Sequence, residues 1–331
     1  MAEPTFKAFR IHQEDGRVAA RFVQMGVAAL SAGEVVIRTE YSSINYKDAL
    51  AATGKGRILR RFPLNGGIDC AGVVETSSDK RFRKGQKVVV TGSGLGEETD
   101  GGFAERVRVG GDWVIPIPRG LDAKRCMQLG TAGFTAALAI TRLEHNGLKP
   151  KGGPVVVTGA TGGVGSLAVD MLGSRGYEVV AVTGKPDAQP YLKALGAHTV
   201  LLRSEIDFGR RPLERALWQG AIDNVGGELL TWLTRTTDWW GSIASIGLAG
   251  SHELHTTVMP FILRGVNLLG INSMATPRAT RLKVWKRLAT DLAPPHLDRI
   301  AARTIRFADL PRAFDAYLDG TVIGRTVVKI R

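Results

Sequence analysis

The sequence predicts an α/β protein of two domains, one mostly antiparallel β and the other a doubly wound parallel sheet. Three observations support this prediction. The chain has 331 residues, which is long for a single domain. Up to about residue 120, short β-like runs such as EVVIRTEYSSI and GQKVVVTG alternate with Gly and Pro turns. From Pro154 onward, strand and helix patterns alternate, as they do in a parallel sheet with helices on both faces.

The individual elements follow in chain order. Apolar residues recur at helical spacing over Ala123–Leu143. In the second domain VVVTG, EVVAVTG, HTVLL and SIASIGLAG read as strands, with helical patterns in SLAVDMLGSRG, AQPYLKALGA and ELLTWLTRTTDW. LPRAFDAYLDG predicts a helix and GRTVVKIR a final strand, and this C-terminal piece is expected to return to the first domain. The predicted domains are therefore 1–124 completed by 271–331, and 125–270.

Composition restricts the functional classes. The two cysteines, Cys70 and Cys126, argue against a disulfide framework and favour a reduced, cytoplasmic compartment. The N-terminus has no secretory apolar region, and no run of eighteen apolar residues could cross a membrane. We therefore expect a soluble protein without a membrane partner.

The formal charge of +13 suggests a nucleic-acid partner or acidic small molecules. Basic residues concentrate in Lys55–Arg61, Lys80–Lys87 and Arg278–Arg287. Each run alone is typical of solvated surface, and the chain lacks a basic stripe with interleaved aromatic residues. We expect no nucleic-acid partner.

VVVTGATGGVGS is the strongest chemical motif, because it reads as a strand, a glycine-rich turn and the start of a helix. Gly162 would let the backbone approach a pyrophosphate, and Gly165 would let the helix pack closely on its strand. The same turn contributes the candidate cofactor-binding residues Thr161, Gly163 and Val164. A glycine-rich turn without a ligand is the alternative.

The second strand of the predicted parallel sheet ends in Thr183-Gly184-Lys185, where a fold that prefers NAD usually carries Asp or Glu. A hydroxyl and an ammonium suit a 2′-phosphate, which a carboxylate would repel. Arg203, after the third strand, could add a bidentate contact. The pattern predicts NADPH, against the alternative of a solvated Lys185 and NAD.

Metal ligands are not expected. His252 and His255 lie three residues apart but have no third ligand nearby in sequence, so surface histidines are the better interpretation.

Seven segments together resemble one family: SSINYKDAL, GIDCAGVV, GTAGFTA, VTGATGGVGS, AIDNVGG, TTVMPFILRGV and GRTVVK. They are similar to zinc-free medium-chain dehydrogenases/reductases, and more narrowly to bacterial NADPH-dependent acryloyl-CoA reductases, long described as quinone oxidoreductases. The resemblance implies a GroES-like β domain, a Rossmann NADPH-binding domain and a cofactor in the cleft between them. It also implies a homodimer in which LLGINS forms the edge strand.

The resemblance assigns residues by position. Zinc-dependent relatives place Cys near Asn45 and His near Asp69, and this chain has neither ligand there. Asn45 and Asp69 would line the reacting end, while Tyr46 would contact the cofactor and is a candidate proton relay. A half-buried aromatic at a strand end is the alternative for Tyr46. Further cofactor contacts would come from Leu248, Ile262, Ser273 and Asp319, although relatives often carry Asn at the last of these positions.

The implied reaction is NADPH-dependent reduction of the C=C bond of an α,β-unsaturated acyl-CoA, with acryloyl-CoA giving propanoyl-CoA. The alternative within the same class is an NADPH:quinone oxidoreductase, and the alternative outside enzymes is an NADPH-binding protein with nucleic-acid affinity. The cluster Lys55, Arg57, Arg60 and Arg61 is expected to meet the CoA phosphates. No proton donor is assigned by the sequence.

Overall fold

The computed structural model describes residues 5–331 and divides the chain into two compact units. The first comprises the chain up to Phe134 together with Ser273–Ala289 and Ala301–Arg331, and the second comprises Thr135–Asn272 and Thr290–Ile300. Residues 125–134, which the sequence-based division gave to the second domain, thus belong to the first unit, and residues 271–272, given to the first domain, belong to the second unit. The segment 290–300 also differs, since that division gave it to the first domain. The reason is local, because His296 donates its backbone N–H to Asp170 of the second unit at 3.0 Å.

The helices and strands up to the unit boundary are β1 (Phe6–Glu14), β2 (Arg17–Met25), β3 (Val35–Ile44), α1 (Tyr46–Thr53), β4 (Leu64–Asn65), β5 (Asp69–Ser77), β6 (Lys87–Thr91), β7 (Arg106–Val109), β8 (Ile115–Pro116) and α2 (Ala123–His145). Those that follow are β9 (Val155–Val157), α3 (Gly163–Ser174), β10 (Val179–Thr183), α4 (Gln189–Ala194), β11 (Thr199–Leu202), β12 (Trp218–Asp223), α5 (Gly227–Thr236), β13 (Thr237–Ser245), α6 (Met259–Arg264) and β14 (Asn267–Gly270). The C-terminal elements are α7 (Arg278–Leu288), α8 (Leu297–Ile300), β15 (Arg303–Arg306), α9 (Phe314–Leu318) and β16 (Thr326–Lys329).

The first unit is built on two sheets. A three-stranded sheet has the order β2-β1-β4, and a seven-stranded sheet has the order β15-β16-β3-β5-β6-β8, with β7 also paired to β3. Two register pairs position the site described below. Asp69 at the start of β5 lies opposite Thr91 at the end of β6, and Thr326 of β16 lies opposite Ile44 at the end of β3. The end of β3, the start of β5 and the start of β16 are thus brought together.

The second unit contains a six-stranded parallel sheet in the order β11-β10-β9-β12-β13-β14. This is the strand order of a dinucleotide-binding Rossmann fold, and the order reverses between β9 and β12. Ligands of such sheets bind outside the carboxyl ends of the strands at that reversal. The predicted fold class is confirmed.

Several element boundaries differ from the predictions for physical reasons. LPRAFDAYLDG contains Pro311, and its first part is a 3₁₀ turn over Phe307–Ala313 that leads into the short α9. In ELLTWLTRTTDW the helix ends at Thr236, and the remaining residues begin β13. Within the described part of the chain, no helix has the length and apolar character needed to cross a membrane.

Candidate functional site

The centre of the candidate site in the first unit is the carboxylate of Asp69, whose side chain is 0% exposed. It accepts hydrogen bonds from Ser43 Oγ at 2.7 Å, Asn45 Nδ2 at 2.7 Å and Thr131 Oγ1 at 2.6 Å. The backbone N–H of Thr131 donates to both carboxylate oxygens at 3.0 Å. A buried carboxylate with this many donors is held in one orientation, so Asp69 fixes the side chains around it.

Arg325, just before β16, closes the network from the other side. Its guanidinium donates to Asn45 Oδ1 at 2.9 Å, to Ser43 Oγ at 2.7 Å and to the carbonyl of Ile44 at 3.1 Å. It also lies 3.7 Å from an Asp69 oxygen, and both side chains are almost entirely buried. Because a buried charge is costly without a partner, this pair must be retained together. The amide of Asn45 is therefore held at both ends, by a carboxylate and by a guanidinium.

The glycine that interrupts α2 makes the close approach of these groups sterically feasible. Gly130 has φ 54° and ψ −158° inside the helix. A Cβ atom there would lie 2.7 Å from both Asp69 Oδ2 and Ser43 Oγ, and would also clash with the Arg325 guanidinium. The break at Gly130 also lets the Thr131 N–H point at Asp69, because a helix break frees backbone donors.

A second buried carboxylate, Asp48, supports the same region. With Asn45 it forms a capping box at the start of α1, and it accepts from the Asn45 N–H at 2.7 Å and the Ile68 N–H at 2.9 Å. Burial, reinforced by the charge of Asp69, raises the pKa of Asp48 to about 7. The start of α1 is thus fixed by buried hydrogen bonds, and Tyr46 is the first residue of that helix.

Tyr46 differs from its neighbours in exposure, since 49% of it is accessible to solvent. The donors of Asn45 and Thr131 described above are directed at Asp69. Tyr46 is therefore accessible to solvent at the start of α1, whereas the Asp69 carboxylate is not. This corrects one expectation, because a completely buried Asp69 does not line a surface open to a reactant.

The geometry of the glycine turn between β9 and α3 of the second unit indicates whether a dinucleotide would fit there. Gly165 is required by the fold, because a Cβ there would lie 2.7 Å from Ala160 Cα. Gly162 is not required by packing, since its Cβ would meet nothing nearer than the Gly159 carbonyl oxygen at 3.4 Å. Its backbone, at φ −75° and ψ 173°, would also admit any residue. The space beside Gly162 at the start of α3 is therefore open to a group from outside the chain, as a bound diphosphate requires.

An unpaired polar atom lies at the same turn. Asn224 follows β12, and its Nδ2 donates to the Thr158 carbonyl at 2.7 Å. Its Oδ1 is buried and has no hydrogen-bond partner among the described residues. Because buried acceptors are normally satisfied, this atom suits a donor such as a ribose hydroxyl. The turn and this acceptor together fit a dinucleotide at the reversal of strand order.

The residues predicted to select the cofactor lie at one edge of the second sheet. Thr183 ends β10 opposite Leu202, so Arg203 directly follows its register partner. The Thr183 hydroxyl is buried and accepts the Lys185 backbone N–H at 3.0 Å. Burial lowers the pKa of Lys185. Lys185 and Arg203 thus follow neighbouring strands at the edge where an adenosine ribose would bind, and Thr183 shapes the turn before Lys185.

The other candidate cofactor residues are more dispersed. In the second unit, Leu248 and Ile262 are 67% and 71% exposed. In the first unit, Asp319 is exposed at the end of α9, and the carbonyl of Ser273 accepts a hydrogen bond from Arg281 at 2.8 Å. Each unit therefore holds part of the predicted set.

The basic cluster predicted for CoA phosphates lies on exposed loops of the first unit. Lys55, Arg57 and Arg60 are exposed. The Arg61 guanidinium is already used by Ser31 Oγ at 2.7 Å and the Glu98 carbonyl at 3.1 Å. Three cations of the predicted four are thus available to a ligand.

The donor set around Asn45 and Asp69 does not fit a zinc ion. Zinc favours thiolate and imidazole ligands, whereas an amide and an already paired carboxylate occupy these positions. Burial raises the pKa of the neighbouring Cys70 thiol to about 12, which disfavours the thiolate. No group of three or more His, Cys, Asp or Glu that could hold a metal ion occurs within residues 5–331.

Residues 31–119 match the profile of the alcohol dehydrogenase GroES-like domain, and residues 163–290 match that of the zinc-binding dehydrogenases. Acrylyl-CoA reductase AcuI of Ruegeria pomeroyi is 46% identical over 96% of both chains. The chain belongs to the medium-chain dehydrogenase/reductase family.

Two family members show the range of similarity. The yhdH oxidoreductase of Salmonella enterica, solved in complex with NADP, is 49% identical with a TM-score of 0.95, over 98% of this chain and 100% of that one. YhfP of Bacillus subtilis, which is named as a quinone oxidoreductase, is 45% identical over 98% of this chain and 99% of that protein. Its structure with NAD bound has a TM-score of 0.96 and covers 99% of this chain and 100% of that one. The chain is accordingly an oxidoreductase with the two-domain fold of the family.

Sequence reasoning missed Thr131, Asp48 and Arg325. The motif Asn45-x-x-Asp48 has the spacing of a capping box and could have indicated the buried role of Asp48. An arginine directly before a buried strand, as in GRTVVK, could have indicated an internal partner. Nothing local to the sequence connects Thr131 with Asp69.

Proposed function

We propose that the protein reduces the C=C bond of an α,β-unsaturated acyl-CoA with NADPH, and that acryloyl-CoA is converted to propanoyl-CoA. The supporting observation is the hydrogen-bonded network that occupies the positions of the zinc ligands. A saturated carbonyl is reduced at the carbonyl carbon, whereas a conjugated thioester accepts hydride at its β-carbon and forms an enolate. Hydrogen-bond donors are sufficient to stabilise an enolate oxygen. The relatives named as acrylyl-CoA reductases support the same substrate class.

The cofactor of the proposed reaction is NADPH, which supplies the hydride when it is bound. Gly162 and the N-terminus of α3 would hold its diphosphate, because that backbone is open to a ligand. Lys185 and Arg203 would hold the 2′-phosphate through charge-assisted contacts. The Asn224 acceptor would bind a ribose hydroxyl.

In the first unit we assign a different task to each residue. Tyr46 would donate a hydrogen bond from its hydroxyl to the thioester oxygen, because Tyr46 is exposed to solvent whereas Asp69 is buried. Asn45, Asp69, Thr131 and Arg325 would act as positioning residues that hold the start of α1. The α-carbon then receives a proton, and Tyr46 is our candidate for its source.

The decisive experiment measures NADPH oxidation by the purified protein with acryloyl-CoA, crotonyl-CoA and a simple quinone in parallel. The proposal predicts turnover of the thioesters, with acryloyl-CoA preferred, and much slower turnover when NADH replaces NADPH. Turnover of the quinone without turnover of either thioester would refute it. That result would favour the function named for YhfP.

We further propose that the protein works as a homodimer in the cytoplasm. β14 forms an edge of the parallel sheet, and Leu268 on it and the nearby Ile262 and Leu263 expose apolar surface. An unpaired edge with apolar side chains favours pairing with an identical strand. Light scattering on the purified protein would test this, and a Leu268→Lys variant should shift the mass toward the monomer.

A further inference from the structure

A cavity of about 500 Å³ opens in the first unit beside the Asp69 network. Three segments supply its walls: Ser93, Gly94 and Glu98 after β6, Asp112 and Trp113 before β8, and Met274–Thr276 with Arg278 and Arg281 at the start of α7. The link to the network is direct. Arg281 donates to the carbonyl of Thr91 at 2.8 Å, and Thr91 is the register partner of Asp69. The volume of the cavity lies within the range typical of small-molecule sites.

Arg281 is a buried cation that has no carboxylate partner among the described residues. It is 2% exposed, and both Nη atoms donate to uncharged oxygens of Thr91, Ser273 and Met274. Its guanidinium also lies 4.6 Å from the centre of the Phe134 ring. The negative charge of Asp69 acts on Arg281 without forming an ion pair with it. A buried cation whose direct hydrogen bonds all go to uncharged oxygens favours a further anion in the adjoining cavity.

Arg278 presents unused donors to the same cavity. Its Nη1 donates to the carbonyls of Asp112 at 3.0 Å and Val114 at 2.5 Å, and more weakly to that of Gly111 at 3.3 Å. No described residue accepts from its Nε or Nη2. Since only one nitrogen is used for anchoring, the guanidinium is held in place while the rest of its fork can bind an oxyanion.

Two of the basic runs in the sequence meet at the rim of the cavity. Arg81 of the run Lys80–Lys87 and Arg278 of the run Arg278–Arg287 both lie over the ring of Phe82, at 5.8 and 5.7 Å from its centre. Arg81 is neutralised by Asp79 and Asp112. The lining carboxylates Asp112 and Glu98 balance the arginines, so the cavity offers both hydrogen-bond acceptors and cations instead of a uniform positive surface.

We propose that this cavity binds the 3′-phosphoadenosine end of the acyl-CoA, an inference that rests on the proposed function. The groups of this ligand match the walls one by one. Trp113 offers an aromatic face to the adenine, Glu98 an acceptor to its exocyclic amine, and Arg278 a free fork to the phosphate. The thioester would then extend from the cavity toward Tyr46, the exposed residue of the site.

The loop cluster Lys55–Arg61 is the competing location for the CoA phosphates. Its cations lie on exposed loops. Exposed cations bind phosphate weakly because water and salt screen the attraction. The two locations make opposite predictions for matched Arg→Gln substitutions.

The first test is calorimetric titration of adenosine 3′,5′-bisphosphate into the protein saturated with NADP⁺, which occupies the dinucleotide site. The wild type should bind the bisphosphate, and Arg278→Gln should weaken binding by about ten- to hundredfold, the value of one charge-assisted contact. The matched control, Arg57→Gln with Arg60→Gln, should leave the dissociation constant unchanged. The absence of binding by the wild type, or equal binding by wild type and Arg278→Gln, would overturn the proposal.

The second test separates recognition from folding by comparing acryloyl-CoA with acryloyl-pantetheine, which lacks the nucleotide. Arg278→Gln should raise the KM for acryloyl-CoA and leave that for acryloyl-pantetheine unchanged. An equal rise for both substrates would show that the arginine only supports the loop, and would overturn the inference. If the wild type reduces neither thioester but shows Arg278-dependent binding of the bisphosphate, the proposed function fails and the nucleotide site stands.

Discussion

Replacement of Asp69 by Asn tests whether the buried network controls the site. Asn would keep the shape of the side chain, but its NH₂ group would face the donors of Asn45, Ser43 and Thr131. The variant would also leave Arg325 buried without its counter-ion. Loss of one partner from a buried ion pair typically costs about 3–5 kcal/mol. We expect a loss of unfolding free energy of that size in Asp69→Asn.

The catalytic effect should appear in kcat and leave cofactor binding unaffected. The glycine-turn residues that we propose to bind NADPH belong to the second unit, whereas Asp69 belongs to the first. Displacement of the start of α1 would move Tyr46 away from its productive position, and misplacement by about 1 Å can cost roughly a hundredfold in rate. We therefore expect kcat with acryloyl-CoA to fall by about that factor, while the Kd of NADPH changes less than about twofold.

The assay combines urea unfolding, steady-state kinetics and a fluorescence titration of NADPH. Asp309→Asn is a suitable control, because Asp309 forms an exposed ion pair with Arg306 in the same unit. Such pairs contribute little, so the control should match the wild type in all three measurements. An Asp69→Asn variant with the stability and kcat of the control would refute the positioning role of the network.

Two further predictions concern cofactor choice and pH. Thr183→Asp combined with Lys185→Ala should erode the preference for NADPH over NADH, measured as the ratio of kcat/KM values, and an unchanged ratio would show that these residues do not select the cofactor. The native Asp48 carboxyl holds its proton to about pH 7, against 3.8 ordinarily, so it stabilises the folded state at low pH. This contribution, at most about 4 kcal/mol, should be lost between about pH 4 and 7. The stability of the wild type relative to Asp48→Asn should fall between pH 5 and 8, and an increase would contradict the raised pKa.

The parallel sheet and its glycine turn could be predicted because their signals are local. A strand, a turn and a helix follow each other directly in VVVTGATGGVGS. The segment contains Gly165, which close packing of the helix requires, and Gly162, which packing does not require. The edge that carries Thr183 and Arg203 could also be predicted, since carboxyl ends of neighbouring parallel strands lie side by side.

The first-unit network could not be predicted in the same way. Arg325 contacts Ser43 and Asn45 across about 280 positions of sequence. These contacts depend on the pairing of β16 with β3, for which the residues themselves carry no specific signal. The burial of Arg281 could not be predicted for a related reason. A helix rich in basic residues is expected to be exposed to solvent unless the loops that cover it are known.

The structure also changes the interpretation of the end of β10, where Thr183 stands in place of the Asp or Glu that is usual in folds that prefer NAD. Thr183 was predicted to help bind a 2′-phosphate, yet its hydroxyl is buried and accepts the Lys185 N–H. An Asp at this position could accept the same hydrogen bond, because Asp commonly bonds the backbone two residues on. The turn would then persist, and the change in cofactor preference would come from charge alone. We therefore expect selection for NADPH to depend mainly on the cations of Lys185 and Arg203, and the double variant at Thr183 and Lys185 tests this electrostatic selection without removing the turn.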